Sequence, residues 1–109
     1  MPIANCHVVS MLDDLDPNQI VAEWSKRSGI EPDEMTLNLV ASRQGGKRYA
    51  AMAWLYLPSL WPEDAVVALS KGLAAALADA LDVEHSSVQI VISIVESGTV
   101  VEAGEIVHW

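Results

Sequence analysis

The sequence predicts an α+β fold in which two tandem βαβ units form one four-stranded sheet with both helices on one face, followed by a short β ribbon. Three observations lead there. The order strand, helix, strand occurs twice; a glycine turn, Gln44-Gly45-Gly46-Lys47, separates the two occurrences; and each helix is opened by a proline, Pro17 and Pro62. The repeat lies in the order of elements and is weak in letters, although Met35 to Val40 matches Val88 to Ser93 in character.

Pro2 to Val9 alternates and is β-branched enough to read as the first strand. Asp16 then stands as N-cap with Pro17 at the first helical position. Ile20, Val21 and Trp24 mark the apolar face of this helix, Lys26 and Arg27 lie near its end, and Gly29 stops it after Ser28. Met35 to Ser42 alternates as a second strand, with Met35, Leu37 and Leu39 on one face and Thr36, Asn38 and Val40 on the other. Tyr49 to Leu57 is so apolar that it is expected to be buried on both faces, and Pro58 ends it. Pro62, Glu63 and Asp64 open a helix to about Leu81, with Ala65, Leu69, Leu73, Ala76, Leu77 and Ala80 at helical spacing. Val88 to Val95 is the fourth strand, and Ser97-Gly98 and Ala103-Gly104 punctuate a ribbon ending at Trp109. The chain is thus expected to be one domain, 1–109, with half-repeats 2–43 and 48–96 and the ribbon 97–109.

A crossover helix makes the two strands of each half parallel. Two helices on one side leave the other face of the sheet apolar and bare, which predicts self-association, three copies around an axis being the arrangement expected. The hydrophobic share of 51% in 109 residues points the same way. A split βαβ domain of the ferredoxin-like kind has the same element order, so the pattern leaves it open.

Six basic residues against fifteen acidic ones give a net charge of −9, which speaks against nucleic-acid and anionic-membrane partners. No apolar run is long enough to span a bilayer and no basic-then-apolar leader precedes the first strand, so a cytoplasmic location is expected. There is no glycine-rich phosphate loop, serine elbow or zinc spacing, and no cofactor or metal is expected. Cys6 has no partner for a disulfide and reads as a small buried strand residue. His7, His85 and His108 lie on separate elements without metal spacing. Glu31, Asp33, Glu34, Glu63, Asp64 and Glu84 sit in turns and helix starts, where capping explains them, while Trp24, Trp54 and Trp61 read as core or interface.

Met-Pro-Ile at the head of the first strand, two βαβ halves and the closing Val101-Glu102-Ala103-Gly104-Glu105-Ile106 ribbon together resemble the tautomerase superfamily. Its macrophage migration inhibitory factor and 5-carboxymethyl-2-hydroxymuconate isomerase branches are similar in size, and the short 4-oxalocrotonate tautomerase chains are similar at both ends. The resemblance implies that Met1 is removed and that Pro2, as an amino-terminal secondary amine in an apolar pocket, is the general acid and base. It would interconvert keto and enol forms of a small 2-oxo or 2-hydroxy acid without cofactor. A small second residue favours that removal; without it, the Pro2 nitrogen is an amide and no base.

The chain departs from the family pattern at the partner positions. The family's arginines match Leu12, Thr36, Leu37 and Gln89; a lysine matches Ile30; a tyrosine and an asparagine match Gln89 and Val91. None is cationic here, which points away from dicarboxylate and phenylpyruvate-type substrates. The remaining candidates for substrate binding are Arg43, Lys47 and Arg48, in the turn between the halves, and Tyr56, a potential donor to an enolate oxygen. The turn lies roughly 25 Å from Pro2 along the first strand at about 3.3 Å per residue, so a neighbouring copy would have to bring it closer. A non-catalytic oligomer of the same shape and a ferredoxin-like binding domain are the alternatives.

Overall fold

A computed structural model describes residues 1–9 and 12–109. Strand β1 (Ile3–Val8) leads through a single 3-10 turn to helix α1 (Pro17–Ser28) and then to β2 (Thr36–Ala41). The second half repeats this as β3 (Ala51–Pro58), α2 (Glu63–Leu81) and β4 (Val88–Val95), and a ribbon of β5 (Val100–Glu102) and β6 (Glu105–Val107) follows.

The helix boundaries have local causes. The Asp16 carboxylate accepts from the Asn18 N–H at 2.9 Å, satisfying one of the unpaired donors of the first turn of α1. Gly29 ends α1 at φ 78°, its N–H donating to the Ser25 carbonyl. Helix α2 has no side-chain cap at Pro62 and stops at Asp82, which takes φ 53° without being glycine.

The sheet order is β2-β1-β3-β4. β1 and β2 run parallel from Ile3↔Thr36 to Val8↔Ala41, and β3 and β4 run parallel from Ala51↔Val88 to Pro58↔Val95. The two halves meet antiparallel, Ile3 opposite Tyr56 and Val8 opposite Ala51. β2 and β3, consecutive in sequence, lie on opposite sides of β1. A split βαβ would have joined them as a hairpin, so the tandem arrangement is the one adopted.

Ala4, Cys6 and Val8 of β1, Leu37 of β2, and Ala51, Ala53, Leu55 and Leu57 of β3 join Ile20, Trp24, Leu69, Leu73 and Leu77 in one core. The Trp24 indole donates to the Leu69 carbonyl at 2.9 Å, satisfying a buried donor across the two helices. They approach closely at Gly72, where an added Cβ would lie 3.3 Å from the Arg27 Cβ. Arg27 also pairs with Glu23 on α1 and Asp79 on α2.

The other sheet face carries no layer within the chain. The strand predicted to be buried on both sides is sealed on one: Ala51, Ala53, Leu55 and Leu57 are buried, while Met52, Trp54 and Tyr56 are only half-buried. The reason is that both crossovers place their helices on the same side. On the bare side the His7 and Trp54 rings meet edge to face, 5.1 Å apart, and the Asn38 amide donates to the Asn5 side-chain oxygen. Ile92 and Ile94 of the edge strand β4 share the helix side with Leu55 and Leu57 and are nonetheless exposed, at 42% and 47%. The ribbon folds back on its own chain, where the Trp109 indole donates to the Ser59 hydroxyl at 3.0 Å. No helix among the described residues is long and apolar enough to cross a membrane.

Candidate active site

Pro2 stands immediately before central strand β1 and is fully buried. Its carbonyl accepts from the Thr36 N–H at 3.0 Å, which ties the chain start to β2. The alternation of β1 places the Pro2 ring in the helix-covered layer with Ala4 and Cys6. Burial in the same layer pushes the Cys6 thiol from 9.0 up to about 12, because the thiolate is poorly solvated there. A thiol so placed is not a nucleophile at neutral pH.

Tyr56 lies beside Ile3 in the β1–β3 register. It therefore reaches the end of the sheet where Pro2 sits, but its side chain shares the bare face with Ile3, opposite the Pro2 ring. The rest of this sheet end is formed by Thr36, the Leu57–Pro58 end of β3 and, through Ser59, the anchored Trp109. The anchorage of Trp109 to Ser59 is a tertiary contact for which the sequence offers no local signal.

Arg43, Lys47 and Arg48 lie in the connection between β2 and β3, next to Val8 at the opposite end of β1 from Pro2. One chain does not bring them to the proline. Arg43 and Arg48 instead line a hollow of ≈ 550 Å³ together with Val9, Ser42, Gln44, Tyr49 and Ala50. Lys47 sits over the Tyr49 ring, its Nζ 5.4 Å from the centroid. Two other hollows lie against the helices, one between Asp16 and Ala80 and one beside Gly72 and His85, and Pro2 lines neither. Thr36 and Leu37, beside the start of β1, carry no charge, while Gln89 and Val91 pair with Met52 and Trp54 toward the other end of the sheet. Among the described residues no group of three His, Cys, Asp or Glu is placed to hold a metal ion.

No protein-family model matches the sequence, and no curated protein matches it. Solved structures match the fold end to end. A fused 4-OT that forms an asymmetric trimer superposes with TM-score 0.80 at 15% identity, over 96% of this chain and 95% of that one. Pt0534, solved after inactivation by 2-oxo-3-pentynoate, gives 0.78 at 14% identity, over 97% and 96%. Macrophage migration inhibitory factor from Oncomelania hupensis gives 0.74 at 15% identity, over 99% and 82%. The chain has the fold of the tautomerase superfamily.

Proposed function

We propose that the protein is a cofactor-independent tautomerase acting on a small 2-oxo or 2-hydroxy acid, with Pro2 as general acid and base once Met1 is removed. The observation that carries this is the position of Pro2: buried, at the head of the central strand, in a fold shared along its whole length with 4-OT structures. The apolar surroundings destabilise a prolinium and leave the amine basic yet neutral near physiological pH. In ketonisation the neutral amine takes the proton of the enol hydroxyl and the resulting prolinium returns it to the enol carbon, so Pro2 ends as it began and no proton is gained or lost overall.

The working unit we propose is a homotrimer, as in the fused 4-OT structures described as trimers. Tyr56, on the bare face, would donate to the developing enolate oxygen only at a site that a second copy packed on that face completes. Arg43, Lys47 and Arg48 would serve Pro2 only from a second copy's loop. The absence of a cation at Thr36, Leu37 and Gln89 favours a second reading, a trimer of the same shape without catalysis.

Intact mass spectrometry on untagged protein, before and after 2-oxo-3-pentynoate, tests the proposal together with a phenylenolpyruvate ketonisation assay. The expected result is loss of the methionine mass, adduct formation on Pro2, and turnover abolished in Pro2→Ala. Retained methionine with no turnover leaves the non-catalytic trimer, whereas turnover unchanged in Pro2→Ala overturns Pro2 as the acid and base.

A further inference from the structure

The hollow between the halves occupies a distinctive place. The β1–β2 ladder starts at Ile3↔Thr36 and the β3–β4 ladder at Ala51↔Val88, so Ala50 stands before β3 as Pro2 stands before β1. The hollow is therefore the second half's counterpart of the Pro2 position, and Ala50 lines it. Its nitrogen is a mid-chain amide whose N–H donates to the Ser87 carbonyl at 2.8 Å, so no base stands there. What the position has instead is positive charge. Three of the chain's six cations, Arg43, Lys47 and Arg48, fall within this loop, and no acidic residue occurs between Glu34 and Glu63. In a chain of net charge −9 these three have no carboxylate within salt-bridge distance among the described residues.

The polar groups around the hollow are oriented. The Tyr49 N–H donates to Gln44 Oε1 at 2.8 Å, which fixes which way the amide points. Gln44 Nε2 is then left buried without an acceptor among the described residues. The Tyr49 hydroxyl is held from the other side by the Gln89 amide at 3.3 Å. Val9, Ala50 and the Tyr49 ring give the same hollow an apolar wall.

We propose that this hollow binds a small organic carboxylate, Arg43 and Arg48 holding the carboxylate and the Val9–Ala50–Tyr49 wall receiving the carbon body. Guanidinium groups match a carboxylate with paired hydrogen bonds, and Gln44 lines the same hollow beside them. The site binds and does not react. It does not rest on Pro2 acting as a base.

Benzoate titrated into the isotope-labelled full chain, followed by the Arg Nε–H and Gln side-chain amide resonances, tests it, with inorganic phosphate as the second probe. The expected result is saturable shifts at Arg43, Arg48 and Gln44 with benzoate, much weaker shifts with phosphate, and binding weakened about ten-fold or more in Arg48→Gln. Pro2→Ala should bind benzoate unchanged, which separates this site from the proposed active site. Equal response to phosphate would show a site for inorganic oxyanions and overturn the carboxylate assignment. Absence of shifts, shifts that persist in Arg43→Gln/Arg48→Gln, or shifts confined to the Pro2 end of the sheet would overturn the site itself.

Discussion

Pro2 and Cys6 share one buried layer of β1, and burial acts on them in opposite directions. It disfavours charge in each case, so it raises the thiol and lowers a free amine. The same layer that quiets Cys6 would make Pro2 a usable base. Because the folded thiol holds its proton to about pH 12 and the unfolded one only to 9.0, the stability from this residue is complete below pH 9. It falls by roughly 1.4 kcal/mol for each pH unit above that, until the folded thiol itself ionises. Cys6→Ala should flatten the alkaline limb of a denaturation-midpoint profile, and the unmodified thiol should resist a thiol reagent at neutral pH until denaturant is added. Tyr56→Phe separates two roles for the phenol. A substrate donor predicts kcat reduced by roughly 100-fold with the melting temperature kept. An interface tyrosine predicts the reverse.

At the scale of elements, the two helices differ in how openly the sequence announced them. Asp16-Pro17 and Gly29 act through backbone groups within a few residues, and α1 runs between them as expected. Asp16→Ala should cost about 1 kcal/mol in chemical denaturation, as the lost N-cap bond is local. The end of α2 was placed correctly by its apolar spacing, but Asp82 carries no stop signal that glycine would have given. The β2–β1–β3–β4 order was not legible at all against the split alternative, since both have the same succession of elements and only pairing between distant residues decides. Gly72 is a similar case: a glycine inside a helix weakens it locally, and its purpose shows only where α1 comes within van der Waals reach. Gly72→Leu should destabilise by about 1–3 kcal/mol through forced separation of the helices, measurable by urea denaturation. The candidate site divides along the same line. Pro2 stood out through its place in the chain, and the remoteness of Arg43, Lys47 and Arg48 followed from strand rise. The orphaned Gln44 amide depends on a loop fold that no periodicity encodes.

For the molecule as a whole, the bare sheet face is the main unfinished business of the single chain. Met52, Trp54 and Tyr56, with Val40 and Val91 exposed beside them, make an apolar surface that a highly acidic protein would otherwise present to water. Trp54→Glu buries a charge in the proposed trimer interface and should yield a folded, smaller species in analytical ultracentrifugation. A variant that sediments like the parent would place the interface elsewhere. The surface was foreseeable in outline, because two crossovers on one side must leave the other open. Its half-exposed β3 was misjudged from composition, which cannot tell a strand covered by its own chain from one covered by another copy.

The anchorage of Trp109 to Ser59 brings the carboxy terminus to the Pro58 end of β3, and Ile3 lies alongside Tyr56 at that same end. Topologically this is a chain ready to be closed into a ring and reopened at Gly45-Gly46, where an added Cβ meets nothing within 4 Å. Such a circular permutant would keep every strand pairing while turning Pro2 into an ordinary link in the backbone, separating the shape of the protein from its proposed chemistry without altering a single side chain.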